Sequence, residues 1–220
     1  MMKLAAFDLD GTLADTLADL AAAVNFALEK RGLSPYPTED YRQFVGNGVD
    51  NLMKTVLREH YTPQRAEEMK ADFFAYYAGH CLDMTVPYPG IAELLDFLEE
   101  QRVMTAVISN KPNDFVQDIL LQLYPGHLFS VAWGQHPEIP RKPAPDGLNK
   151  AMELRGVSPQ DTLYIGDSNV DVVFAHNAGV KVCGVSWGFR GARELEEAGA
   201  DIIVDTAQEL KEVILKALHE

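Results

Sequence analysis

The chain has 220 residues, 47% of them hydrophobic, enough for one large domain, or a domain with a sizeable insertion, whose core folds without staples. Its 33 acidic against 19 basic residues give a net charge of -14, which repels a nucleic-acid backbone or an anionic membrane surface and argues against both as partners. Cys81 and Cys183 show neither metal spacing nor a disulfide framework, and the six histidines lack the i, i+4 spacing of a helical metal pair. No apolar run approaches a membrane span, and the four apolar residues between Lys3 and Asp8 are too few for the core of a signal peptide. These features fit a cytoplasmic protein, monomer or homodimer, in a reducing compartment.

The stretch LAAFDLDGTLAD, residues 4 to 15, starts as a buried strand and ends in two carboxylates, Asp8 and Asp10. Side chains two apart on a strand share a face, with Cα atoms about 6.6 Å apart, so a positive group is expected between them. Asp10-Gly11 could read as a hairpin turn. However, Leu13, Leu17, Leu20, Val24 and Leu28 recur at spacings of three and four, which is a helical stripe. The helix is expected to start near Asp15 or Thr16, either of which can cap it, and to stop at Gly32.

From about 33 to 85 the pattern is helical, broken at VGNG and reopened by Pro63, with no convincing strand. After VPYPG the rhythm changes. Strands VMTAVIS, LFSVAWG, TLYIG, KVCGVSW and DIIV alternate with helices near 91 to 101, 113 to 123, 146 to 155, 169 to 178 and 192 to 198, and a final helix follows. That alternation predicts an α/β fold, a parallel sheet covered on both faces in three layers. Residues 1-14 and 86-220 would form the core, and 15-85 an all-helical insertion after the first strand.

In open parallel sheets, ligands sit beyond the carboxyl ends of the strands. There the sequence places Asp8 and Asp10, then Ser109 and Asn110, then Lys142 in RKPAP, then Asp167 and Asp171 in GDSNVD. Four negative charges against one positive call for a divalent cation. Oxygen-only ligands favour magnesium, which commonly shares its sphere with a phosphate, so a small phosphorylated metabolite is the expected partner. Ser109, the Asn110 backbone amide and Lys142 would hold the phosphoryl oxygens. Asp8 would attack phosphorus to form an aspartyl-phosphate, and Asp10 would act as general acid and base, with Thr12 steadying the turn.

Two other readings compete. GVSWG at 184 to 188 matches the G-x-S-x-G pattern of serine hydrolases, with Ser186 as nucleophile and Asp205 and His219 following in order. A non-enzymatic phospho-acceptor domain also uses clustered carboxylates, magnesium, a hydroxyl and a lysine.

DLDGT, SN, the lysine of RKPAP and GDSNVD resemble the four ordered motifs of the haloacid dehalogenase-like superfamily, spanning residues 8 to 171. FDLDGTLADT, ISNK and NAG at 177 to 179, with the helical stretch, resemble its phosphoglycolate phosphatase-like branch. The resemblance implies a Rossmann-like core, a cap that closes over the substrate, and magnesium bound by Asp8, the Asp10 backbone carbonyl and Asp167, with Asp171 supporting its waters. Because the chain keeps an Asp at position 10, phosphoester hydrolysis is favoured over dehalogenation or phosphonate cleavage. A sugar phosphomutase would use the same pair, and a pyrophosphatase of the superfamily is a further alternative. Gly46, Asn47 and Gly48 are either a plain helix break or a substrate gate.

Overall fold

A computed structural model describes residues 2–219; the side chain of His219, third member of the serine-hydrolase reading, lies outside what is described. Strand β1 (Leu4–Phe7) is buried at all four positions, as a central strand of a parallel sheet must be. It pairs in parallel with β4 (Met104–Pro112) on one side and β6 (Thr162–Gly166) on the other. With β5 (Val131–Gln135), β7 (Lys181–Val185) and β8 (Ile202–Val204) the order is β5-β4-β1-β6-β7-β8. The chain builds to one side of β1 and then crosses to the other, so the carboxyl ends of β1, β4 and β6 flank the reversal point.

Alternation along the strands sorts the core into two layers. Ala5 and Phe7 pack with α5 (Ile91–Glu100), α6 (Asn113–Leu123) and α10 (Ala207–His219). Leu4 and Ala6 face the opposite way, toward α7 (Asp146–Arg155), α8 (Asn169–Asn177) and α9 (Gly191–Ala198). A third apolar cluster is built from α1 (Leu17–Glu29), α2 (Tyr41–Phe44), α3 (Val49–Leu57) and α4 (Pro63–His80). From beyond those helices it takes in Phe189, supplied by the loop after β7. Among the described residues no helix is long and apolar enough to cross a membrane.

The helical stretch departs from expectation at both ends. Ala14–Asp15 (β2) and Val86–Pro87 (β3) form a two-stranded antiparallel ribbon, pairing Ala14 with Pro87 and Asp15 with Val86. Two-residue strands are too short to leave an alternation signal. Helix α1 therefore begins at Leu17; the Asp15 carboxylate accepts the Leu17 N–H at 3.2 Å, while the Thr16 hydroxyl is diverted to Asp10. Ser109 and Asn110, expected just past a strand, lie within the irregular end of β4, where its register with β5 shifts between Ile108 and Pro112.

Beside the ribbon, Asp19 on the first turn of α1 is 1% exposed and takes the amides of Met84 and Thr85 and the Thr85 hydroxyl, at 2.7 to 3.0 Å. One carboxylate thus ties the start of the helical stretch to its end. Removing it strands buried donors, so Asp19→Ala is expected to cost about 2–4 kcal/mol in urea unfolding, and Asp19→Asn less. A loss under about 0.5 kcal/mol would show the joint is held by packing alone.

Candidate active site

The sequence expectation is a positive group shared between Asp8 and Asp10; instead each carboxylate has its own lysine, Lys142 on Asp8 and Lys111 on Asp10. Asp8 follows β1, its backbone N–H continuing the ladder to Ile165 O. Its carboxylate accepts the Leu9 N–H at 2.7 Å and Lys142 Nζ at 2.9 Å. Asp10 is held by the Thr16 hydroxyl at 2.6 Å and by Lys111 Nζ at 3.0 Å. The turn that follows rests on the Leu9 carbonyl, which accepts the N–H groups of Thr12, Leu13 and Ala14. The Thr12 hydroxyl, expected to steady that turn, is buried without a hydrogen bond, so the backbone does that work.

Lys142 spends all three protons. It donates to Asp8, to Asp171 at 2.8 Å and to the Tyr164 hydroxyl at 3.1 Å. Asp171, fully buried in the first turn of α8, also accepts the Ser168 N–H and hydroxyl in a capping box, and the Tyr164 hydroxyl. Asp167 follows β6 and accepts the Phe189 N–H at 2.7 Å. Its closest neighbours have no side chains: a Cβ on Gly11, where φ is +80°, would lie 2.3 Å from Asp167 Oδ2, and one on Gly188 would lie 2.2 Å from Asp167 Cβ. Both positions require glycine.

One carboxylate oxygen from each of Asp8, Asp167 and Asp171 lies within 4.8 Å of the others, all buried. Three carboxylates facing one ammonium leave an excess of two negative charges, and their hard oxygen donors fit a divalent cation. The Asp10 carboxylate, engaged by Lys111 and Thr16, is not one of the three. Charge crowding appears in the acidities. Burial, with repulsion from Asp171 and Asp10, raises Asp8 to about 6 although Lys142 opposes it. Burial and the charges of Asp171 and Asp8 push Asp167 well above the carboxylate range. Burial alone would lower Lys142, but Asp171 and Asp8 outweigh it and the ammonium is held above its usual range.

Asn110 joins the layers: its amide donates to Gly46 O and Lys142 O, and its carbonyl accepts the Lys142 N–H at 2.9 Å. Ser109 Oγ accepts the Lys111 N–H at 3.3 Å. Gly46 and Gly48 line the cavity above the carboxylates, whereas Asn47 is exposed and does not line it. The structure therefore gathers Asp8, Asp10, Ser109, Asn110, Lys142, Asp167 and Asp171, with two of the three loop residues. Sequence reasoning missed Lys111, Tyr77, Tyr164 and Arg190. Lys111 adjoins Ser109-Asn110, and that adjacency was its one available signal. Arg190 Nη atoms donate to Gln43 Oε1 and Val45 O, a pairing with no local pattern. Ser186 donates to Asp205 away from this cavity.

The profile of the haloacid dehalogenase-like hydrolases matches residues 5–185. The chain belongs to that family. It is 36% identical over 214 residues to a phosphoglycolate phosphatase of Pseudomonas fluorescens, covering 94% of this chain and 78% of that one. The phosphoglycolate phosphatase of Mannheimia succiniciproducens is 33% identical over 219 residues, covering 96% and 98%. A Lactobacillus delbrueckii subsp. bulgaricus crystal structure superposes with a TM-score of 0.92 at 38% identity, covering 96% and 98%. These likenesses place the chain in the phosphoglycolate phosphatase-like branch of the family. They leave the serine-hydrolase reading of Ser186 and the phospho-acceptor reading without support.

The raised pKa of Asp8 fixes the sign of a stability effect. A carboxyl that titrates near 6 when folded and near 3.8 when unfolded favours the folded state below about 4, and that contribution is lost as the pH climbs through about 6. In chelator, Asp8→Asn is therefore expected to have a higher Tm than the parent at pH 7.5, with the gap narrowing toward pH 4. A gap independent of pH would show that Asp8 carries no such penalty.

Proposed function

We propose that this hydrolase cleaves small phosphate monoesters, phosphoglycolate among them, using magnesium and an aspartyl-phosphate on Asp8. The carrying observation is Asp8 itself: a buried carboxylate at the reversal point of the sheet, braced by Lys142, two residues from a second acid, beneath a cavity walled by helices. Asp8, the Asp10 backbone carbonyl and Asp167 would hold the metal, with Asp171 supporting its waters. A bound magnesium would neutralise charge on the phosphoryl oxygens.

The protein's own groups do the rest. An Asp8 oxygen attacks phosphorus as the ester P–O bond breaks, and Asp10 delivers a proton to the departing alkoxide. Asp10 then takes a proton from the water that attacks phosphorus, releasing inorganic phosphate and restoring Asp8. Ser109, the Asn110 backbone N–H and Lys142, which turns the N–H it gives Asp8 toward the phosphoryl group, bind the equatorial oxygens, where negative charge spreads in the transition state. Residues 15–85 act as a cap that excludes water and selects the leaving group, with Gly46 and Gly48 at its edge. Two free, buried cysteines suit a cytoplasmic setting, and the acidic surface disfavours nucleic acid.

Exhaustive chelation is expected to abolish phosphate release, magnesium to restore it, and calcium to restore little, because its larger and looser shell misplaces the nucleophile. Full activity in chelator would overturn the metal's part.

Asp8→Asn is expected to be inactive on every ester, since an amide forms no acyl phosphate. Asp10→Ala is expected to slow alkyl phosphates about 10²- to 10⁴-fold while sparing the first step on nitrophenyl phosphate. That variant should release a burst of nitrophenol and then stall with phosphate on Asp8, trapped by hydroxylamine. Equal impairment on alkyl and aryl esters, with nothing trapped, would reduce Asp10 to a structural residue.

A further inference from the structure

The loop between β7 and α9 touches the carboxylate site on one side and the helical stretch on the other. Trp187 Nε1 donates to the Thr12 carbonyl at 3.2 Å, in the turn that follows Asp10. Gly188 lies against Asp167 and the Gly11 carbonyl, with no room for a side chain. The Phe189 N–H donates to Asp167 at 2.7 Å, while the Phe189 ring is buried among the helices.

Arg190 extends this contact. Its guanidinium donates to Gln43 Oε1 at 2.6 Å and to the Val45 carbonyl at 2.9 Å, at the C-terminal end of α2, and Glu194 lies 3.8 Å from Nε. The Arg190 side chain is 9% exposed. In the opposite direction, Arg42 Nη1 donates to the Gly188 carbonyl at 3.2 Å. Two arginines, one from each layer, therefore cross the same gap.

Two adjacent residues thus do different work. Phe189 holds Asp167, one of the three carboxylates that fit a divalent cation, and Arg190 holds the helical stretch. If the helices move away, Phe189 loses its apolar surroundings and Arg190 loses two acceptors. The backbone at 189 is then no longer fixed where its N–H meets Asp167. Hydrogen bonds of this kind orient metal ligands, and removing one typically costs about 10- to 100-fold in metal affinity.

We propose that Arg190 is a positioning residue that couples docking of the helical stretch to the metal site. By clasping residues 43 to 45 it keeps the Phe189 N–H on Asp167, so docking strengthens magnesium binding and magnesium strengthens docking by the same factor. This rests on the reading of Asp167 as a magnesium ligand and adds the link through which the helices act on it.

The test combines calorimetric titration of magnesium with amide hydrogen exchange over residues 43 to 48, on the parent and on Arg190→Met, which keeps an apolar stem and loses the donors. In the parent, saturating magnesium is expected to slow that exchange roughly 5- to 20-fold. In Arg190→Met the metal-free exchange should quicken, the magnesium Kd should rise roughly 5- to 20-fold, and the effect of magnesium on exchange should shrink to within about twofold. Arg190→Lys, with a single ammonium for the two acceptors, should recover part of the affinity. An arginine that merely holds the fold together would lower the Tm and leave the Kd of the folded variant unchanged, and that result overturns the proposal. So does a parent that binds magnesium with no change in exchange at 43 to 48, a comparison that needs no variant to fold. A parent that binds no magnesium at all is a separate failure, because it removes the metal reading and the coupling together.

Discussion

The site depends on one buried ammonium. Lys142 sits between Asp8 and Asp171 with a phenol closing its third valence, and without it three carboxylates would share a water-excluded pocket with no counter-charge. The groups that fix it come from separate strands: Asp8 from the end of β1, Tyr164 from β6, and Asp171 from the helix that β6 feeds. Its backbone is held in turn by Asn110 of β4. The same contacts that neutralise the pocket therefore fix the relative positions of three neighbouring strand ends, and electrostatic balance and sheet order support each other.

Much of this was legible in the sequence because it is local. LAAF reads as a buried strand from its apolar run, and Asp8, Ser109 and Asp167 read as site residues because each stands where an apolar run gives way to polar residues. The alternation of strands and helices gave the parallel sheet, including β6 at its observed bounds. What remained hidden depends on contacts across long separations. Lys111 reaching Asp10, Tyr77 reaching Lys111 and Arg190 reaching Gln43 each pair residues brought together only by folding. No periodicity encodes such pairs. Thr16 shows the related case of a residue with a sound local role, capping a helix, whose hydroxyl is taken by a tertiary partner instead.

The two lysines serve different carboxylates, Lys142 pairing with Asp8 and Asp171 and Lys111 with Asp10. Below Asp10, charge is dense, with three buried carboxylates against the single ammonium of Lys142. Above it, the wall is aliphatic and aromatic, supplied chiefly by the helical stretch and by Phe189 of the core. Asp10 lies at the boundary, tied to Thr16 at the root of α1 and to Lys111 of β4, so its carboxylate touches both structural layers at once.

The short ribbon at the base of the helices has a consequence for how such a chain can vary. Ala14 and Pro87 are paired neighbours, so to the sheet the whole excursion from 16 to 85 is a loop whose ends already meet. The entropic cost of closing a loop grows only logarithmically, about 0.6 kcal/mol for each doubling of its length. Whatever lies between those ends can therefore be lengthened, shortened or replaced with little effect on strand register, provided it buries its own apolar face and keeps a group equivalent to Asp19 to clasp the exit. The strands of the sheet and the inserted helices are thus free to change at different rates within a single chain.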